Sequence, residues 1–207
     1  MKYAAIILAA GGGSRFQQTT HKLLVEIQGK PLIHFPIAAA IAAQLDPIIV
    51  VVGALAQEIE KVLADQPVKV VMNEDWSLGQ STSLRAGIAA LPPDVDAVCI
   101  FLADQPFIAL QTIESLKQKQ IEYPDRIIVP AWQGKRGNPT FFPRTTFADL
   151  LNQAPTDQGG RALIKKYGAI EVEVTDPYVV RDIDTFEDYQ NYLKQSPEEG
   201  YNSEDGH

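Results

Sequence analysis

Residues 3 to 9 read Tyr3-Ala4-Ala5-Ile6-Ile7-Leu8-Ala9, and the chain continues Ala10-Gly11-Gly12-Gly13-Ser14-Arg15-Phe16. A short apolar run with no polar alternation is a strand covered on both faces. It runs into a glycine-rich turn that carries an arginine, and Lys22 follows soon after. Glycines let backbone N–H groups approach a polyanion closely, and cations neutralise it. Gly11, Gly12, Gly13, Arg15 and Lys22 therefore read as a phosphate-holding turn, with a tight βα turn as the plain alternative. The turn is not a Walker A loop, because no Gly-Lys-Ser/Thr follows. It is also a poor dinucleotide fingerprint: Phe16 takes the last glycine position, and Gly53 stands where a ribose-binding acid is expected.

Outward from this strand, apolar runs alternate with helical patterns. Ala4–Ala9, Ile48–Val52, Val68–Met72, Val98–Ala103 and Ile127–Val129 read as buried strands. Pro31–Gln44, Leu55–Ala64, Gln80–Leu91 and Leu110–Ile121 read as helices between them. The alternation predicts an α/β fold with a mostly parallel, doubly wound (Rossmann-like) sheet. Ligands of such sheets sit beyond the carboxyl ends of the strands. That rule gathers Gly11–Arg15, Gly53, Asn73–Gly79 and Asp104-Gln105-Pro106 on one surface. After Val129 the pattern changes: a loop over Ala131–Asn138, a strand-like Thr140-Phe141-Phe142, then Phe147–Leu151, Arg161–Tyr167, Ile170–Val174 and a last helix, Phe186–Leu193. One domain over residues 1–195 is expected, followed by a disordered acidic tail over 196–207.

The chain has 207 residues, 45% hydrophobic and 21% charged, which is ordinary for a globular protein. Its longest apolar runs are too short to span a bilayer, and no signal peptide is read at Met1-Lys2-Tyr3. The net charge of −8, with a pI near 4.9 and no Lys/Arg cluster, argues against nucleic acid as a partner. Cys99 is the single cysteine, so no internal disulfide forms, which fits a cytoplasmic location. With three histidines and one cysteine, a structural zinc site is not expected.

Asp104 ends a buried strand and aims its carboxylate at the ligand surface. One carboxylate plus substrate phosphates is a common way to hold Mg²⁺; an N-cap for the next helix is the alternative. Asp182 and Asp184 alternate and share a face, and Asp184 is drawn to the metal if Asp104 needs a partner. Asp184 or Thr185 as a helix cap is the alternative. In Ser77-Leu78-Gly79-Gln80-Ser81-Thr82-Ser83-Leu84-Arg85-Ala86-Gly87, small hydroxyl side chains at a helix start can bond a base, ribose or phosphate, or simply cap a helix that buries Leu84 and Ile88. Gly134-Lys135-Arg136-Gly137-Asn138-Pro139 sets two cations between glycines, which suits an anionic co-substrate or an exposed turn. Thr156–Arg161 offers a cap and an arginine that can reach phosphate. Cys99 reads as packing and His21 as a solvent-exposed loop residue.

In this order the pieces resemble the MobA-like nucleotidyltransferases over about residues 3 to 193. Leu8–Phe16 with Lys22-Leu23-Leu24 is similar to that family's opening, and Leu102–Pro106 to its metal-binding aspartate motif. Residues 134–139 and Asp182–Thr185 resemble its later motifs. The resemblance is closest to the molybdenum-cofactor cytidylyltransferases, on the Ala9-Ala10-Gly11 opening. The chain departs from that branch at Asn138 and Gly160.

The resemblance implies a nucleotide-diphospho-sugar transferase-like three-layer sandwich and transfer of CMP from CTP to the phosphate of molybdopterin, with pyrophosphate released. It implies that Leu8, Ala10, Gly11, Gly12, Gly13, Gly79, Ser81 and Ser83 hold the nucleotide. Arg136, Gly137 and Asn138 would face the acceptor, and Asp104 and Asp184 would hold Mg²⁺. Arg15 would grip the outer phosphates, and Lys22 would stabilise charge on the α-phosphate. A molybdenum hydroxylase is the implied recipient of the product. A sugar-1-phosphate nucleotidyltransferase and a non-catalytic nucleotide-binding accessory protein are the other two readings.

Overall fold

The computed structural model describes residues 1–12, Phe16 and residues 21–195. Gly13, Ser14 and Arg15 lie outside the described residues, as does the tail expected to be disordered.

The opening strand, β1 (Tyr3–Ala9), lies at the centre of the main sheet. A small hairpin follows, β2 (Glu26–Ile27) and β3 (Lys30–Pro31), and then α1 (His34–Ala42). The chain continues through β4 (Ile48–Val52), α2 (Ala56–Val62), β5 (Lys69–Met72), α3 (Gln80–Ala89), β6 (Ala97–Leu102) and α4 (Leu110–Glu122). Then come β7 (Ile128–Trp132), β8 (Lys135–Arg136), β9 (Thr140–Pro143), α5 (Phe147–Asn152), α6 (Arg161–Tyr167), β10 (Ile170–Glu173) and α7 (Phe186–Gln195). Among the described residues no helix is long and apolar enough to cross a membrane.

The strand order is β10-β7-β9-β6-β1-β4-β5, with β8 added to β7. β1 pairs in parallel with β4 on one side and β6 on the other, placing Ile7 between Val50 and Phe101. β4–β5 and β7–β10 are also parallel, whereas β9 runs antiparallel between β6 and β7. The sheet is therefore mostly parallel, as the strand–helix alternation predicts. From β1 the chain passes to β4 and β5 on one side and then crosses back to β6 on the other, and this reversal of strand order opens a crevice above the ends of β1 and β6.

The period of two along β1 divides the core. Tyr3, Ala5, Ile7 and Ala9 join a cluster with Ile37 of α1, Ile59 of α2, and Ile113 and Leu116 of α4. Ala4 and Ile6 join Leu84 and Ile88 of α3, Leu150 of α5 and Leu163 of α6 on the other face. Two helical layers thus cover the sheet. Each wholly buried isoleucine, such as Ile6 or Ile7, contributes about 1.5–3 kcal/mol to folding. Cys99 is buried packing, and burial pushes its thiol pKa up.

Two stretches differ from the sequence reading for one reason. Pro31 belongs to β3, and α1 starts only at His34, because Gln28 and Gly29 both take positive φ (53° and 71°) and turn a hairpin. Gln133 and Gly134 do the same (50° and 74°), so residues expected as loop extend β7 to Trp132 and form β8. Both are two-residue turns whose twist matches paired strands. Glutamine before glycine is a weaker signal for such a turn than asparagine.

Candidate active site

The carboxyl ends of β1 and β6 open into a cleft of about 510 Å³. Leu8, Ala10, Gly11 and Gly12 line it from β1, Asp104 from β6, and Gly79 and Ser83 from the start of α3. Lys22 and Asp184 reach it from two more segments, so the structure brings these nine predicted residues together.

Lys22 stands at the start of a short 3-10 turn, Lys22–Leu24. Its Nζ donates to Asp104 Oδ2 at 2.6 Å and to Asp184 Oδ1 at 2.9 Å. Burial pulls the Lys22 ammonium down, but the Asp104 and Asp184 carboxylates more than offset this. Its pKa therefore lies above the ordinary lysine value. His21 is half-buried, not the exposed loop residue the sequence predicts. Its Nδ1 accepts the Leu23 N–H at 3.3 Å, so the ring caps the turn that carries Lys22. Burial is the main cause of its lowered pKa.

The capping alternatives have local answers. α4 begins after Ala109, whose N–H donates to Asp176 Oδ2 at 2.9 Å; Asp104 does not cap it. Ahead of α7, Asp188 Oδ2 accepts the Thr185 N–H at 2.7 Å, and Thr185 Oγ1 accepts the Asp188 N–H at 3.1 Å. This reciprocal pair is a capping box. It leaves the Asp184 side chain to Lys22.

Asp182 joins Asp104 and Asp184: one carboxylate oxygen from each lies within 4.8 Å of the others. Three hard oxygen donors this close suit a divalent cation. Asp182 is the most open of the three to solvent, yet its pKa is raised. Partial desolvation is the first cause, and the charges of Asp184 and Asp104 add to it. The sequence reading notes Asp182 on the face of Asp184 but leaves it out of the metal set. Its spacing of two from Asp184 was the available signal.

Other predicted residues lie elsewhere. The Ser81 hydroxyl donates to Ala154 O at 3.1 Å and accepts the Thr156 N–H at 2.8 Å, so it ties down the loop before α6. Arg136, on the edge hairpin, is held by Glu171 of β10, with Nε 2.7 Å from Oε1. The Gly137 N–H donates to Pro130 O and the Asn138 N–H to Val179 O. None of Ser81, Arg136, Gly137 and Asn138 is among the cleft's lining residues. Gly13 and Arg15 lie outside the described residues. Phe16 is buried, edge-to-face with Phe186 at 5.9 Å, and so pins the far end of the glycine turn to α7.

Trp76, Ser77, Gln80, Asp157 and Arg161 also line the cleft; the strand-end rule already put Trp76 and Ser77 on the ligand surface and the sequence offered Arg161 to phosphate, while Gln80 and Asp157 carried no individual role. Trp76 and Ser77 sit on a 3-10 turn, Trp76–Leu78, Gln80 opens α3, and Asp157 comes from the loop before α6. Arg161 is the first residue of α6, whose cap, Gly160, makes no side-chain bond.

A doubly wound sheet whose switch point gathers a glycine turn, a lysine and three metal-competent carboxylates is the framework of a nucleotidyltransferase. The chain belongs to the MobA-like NTP transferase domain family, whose model matches residues 5–171. It is similar to Rv0371c from Mycobacterium tuberculosis H37Rv, solved in complex with manganese. The two are 27% identical, and the likeness covers 94% of this chain and 100% of that one at a TM-score of 0.78. The fold is shared with a nucleotidyl transferase from Methanothermobacter thermautotroptrophicus (Mth528). There the TM-score is 0.80 at 24% identity, over 93% of this chain and 96% of that one. Among curated proteins, the bifunctional protein GlmU of Syntrophotalea carbinolica is 34% identical over 113 residues, 55% of this chain and 24% of its own length. The match spans about a quarter of such curated relatives.

Proposed function

We propose that this protein transfers CMP from CTP to the phosphate of molybdopterin and releases pyrophosphate. The carrying observation is the ion cluster of Lys22 with Asp104 and Asp184, beside Asp182 and at the foot of the glycine turn. The base and the acceptor rest on the resemblance of the Ala9-Ala10-Gly11 opening to the cytidylyltransferase branch.

The transfer is one displacement. An acceptor phosphate oxygen attacks the α-phosphorus, the bond to the bridging oxygen of the β-phosphate breaks, and pyrophosphate leaves. A phosphate monoester with a second pKa near ~6 is already mostly dianionic at neutral pH, so no general base is required. Catalysis is then positioning and charge stabilisation. Gly11 and Gly12, which line the cleft, would offer backbone N–H groups to the polyphosphate, and the sequence assigns Gly13 and Arg15 to the same role. Asp104 and Asp184, joined by Asp182, fit Mg²⁺ by the hardness and closeness of their oxygens. The ion, when bound, supplies charge neutralisation at the triphosphate. Lys22 Nζ, between Asp104 and Asp184 in the cleft, is the cation that would stabilise charge on the α-phosphate. Leu8, Ala10, Gly79 and Ser83 shape the nucleoside end.

One observation favours a second reading. Arg136 is held by Glu171, and Arg136, Gly137 and Asn138 do not line the cleft, which weakens their assignment to the acceptor. Another small phosphate monoester, such as a sugar 1-phosphate, is then the acceptor. The test is pyrophosphate release with Mg²⁺, molybdopterin and each of CTP, GTP, ATP and UTP. Release with CTP alone supports the first reading. Release with CTP only when a sugar 1-phosphate replaces molybdopterin supports the second. Tight CTP binding with no release from any acceptor returns the protein to a nucleotide-binding accessory role.

A further inference from the structure

We infer that Asn73 is a positioning residue that makes the Ser83 hydroxyl a hydrogen-bond donor aimed at the nucleotide. This rests on the nucleotide reading above and goes beyond it by naming a residue and a polarity.

Asn73 follows β5 and is 5% exposed. Its N–H donates to Val52 O at 2.9 Å, which fixes it to the end of β4. Its Oδ1 accepts the Asp75 N–H at 3.1 Å. A backbone N–H must face the amide oxygen, so this contact sets the orientation of the amide. Nδ2 then donates to Thr82 Oγ1 at 2.9 Å and to Ser83 Oγ at 3.0 Å, which uses both amide hydrogens. The Thr82 hydroxyl returns its own proton to Gly79 O at 2.8 Å or Asp75 O at 3.0 Å. That residue is complete.

Ser83 is not complete. Its oxygen accepts from Asn73, but its proton has no acceptor among the described residues. Ser83 is 5% exposed and lines the cleft. A nearly buried hydroxyl proton without an acceptor is unfavourable, and with one lone pair of the oxygen already met by Asn73 the outstanding need of this hydroxyl is an acceptor for its proton. The site is thus set to take a hydrogen-bond acceptor: a carbonyl or ring nitrogen of the base, or a phosphate oxygen.

The sequence change that reverses this polarity is Asn73→Asp, which has nearly the same shape. A carboxylate there still accepts from Asp75, but it draws the Ser83 proton inward. CTP affinity, read by calorimetry with Mg²⁺, should fall roughly tenfold in Asn73→Asp and in Ser83→Ala. The double variant should lose no more than Ser83→Ala alone, because both changes remove one interaction. In turnover assays the loss should fall on KM more than on kcat. A loss for CTP but not for inorganic tripolyphosphate places the acceptor on the nucleoside; a loss for both places it on phosphate. Full additivity of the two changes, or unchanged affinity in a folded Asn73→Asp protein, overturns the inference. If Asn73→Asp does not fold, Asn73→Ala replaces it under the same non-additivity requirement. A wild-type protein that binds no nucleoside triphosphate overturns the nucleotide reading itself, and this inference with it.

Discussion

Lys22 Nζ lies 2.6 Å from Asp104 Oδ2, across 82 residues of chain. The same ammonium reaches Asp184 Oδ1 at 2.9 Å, so one lysine neutralises two carboxylates of a three-carboxylate cluster. On the proposed function, lysine and a divalent cation would compete for the same oxygens. Lys22→Met should lower the Tm of the metal-free protein, because the carboxylates lose their counter-charge. It should also bind Mg²⁺ or Mn²⁺ more tightly in the absence of nucleotide, while kcat falls by about 100-fold. Calorimetry and turnover check the two arms. Weaker metal binding in this variant would mean that the lysine assists the metal and does not compete with it.

Asp104 and Asp182 should respond in opposite ways. Asp104→Asn removes an ion pair with Lys22 and, on the proposed function, a metal ligand, and turnover should fall about 100-fold or more. Asp182 makes no ion pair with Lys22 and is repelled by its neighbours. Asp182→Asn should therefore raise the metal-free Tm slightly, by about 1–2 °C, while shrinking the rise that Mg²⁺ or Mn²⁺ produces. A thermal scan of each variant with and without metal decides this.

The pH dependence of that gain has a definite sign. A carboxyl whose folded pKa is raised weakens the fold while it is ionised, and the penalty disappears as pH falls below the ordinary carboxylate value. For Asp182, desolvation and then Asp184 and Asp104 raise the pKa. The Tm difference between Asp182→Asn and wild type should be full at neutral pH and vanish near about pH 4. Asp188 works the other way. Desolvation raises it, but its bonds from Thr185 and Asp184 prevail and lower its pKa. Its contribution is present above the ordinary carboxylate value and is lost as pH falls through its folded pKa.

Ser81 tests whether a cleft wall depends on a buried hydroxyl. Ser81→Ala leaves the Thr156 N–H and the Ala154 carbonyl without their partner. The cost should be about 1–2 kcal/mol. Protease cleavage should increase in the loop that carries Asp157, with nucleotide affinity changed less than by Ser83→Ala.

Gly137 tests whether the hairpin edge supports the metal cluster. A Cβ there would collide with the Val179 carbonyl, in the turn Pro177–Val180 that leads to Asp182 and Asp184. Gly137→Ala should destabilise the protein by about 3 kcal/mol and weaken metal binding without removing any ligand. Unchanged metal affinity would separate the hairpin from the site.

Local composition was enough to place β1, β4 and β6, because buried strands are continuous apolar runs with no competing pattern; β5 lies where expected but is the sheet's edge strand, with Lys69 and Met72 exposed, not buried as the sequence reading expects. Composition also located Gly11, Gly12 and Asp104 just past strand ends, since the ends of buried runs are sharp, whereas Lys22 sits on a 3-10 turn. Other features needed the folded chain. Antiparallel β9 between β6 and β7 is a pairing choice, and pairing is not written in a strand's own residues. The two hairpin turns depend on positive φ at Gln28 and Gln133, which glutamine seldom adopts. Whether Ser81 or Ser83 faces the cleft is decided by what packs on each side of α3: the loop at Thr156 takes one hydroxyl, and Asn73 directs the other. The sequence by itself determined the strand–helix alternation and the chemistry available at the strand ends. Only the tertiary structure decided which carboxylates meet Lys22, because that meeting depends on sheet order and loop anchoring across more than a hundred residues of chain.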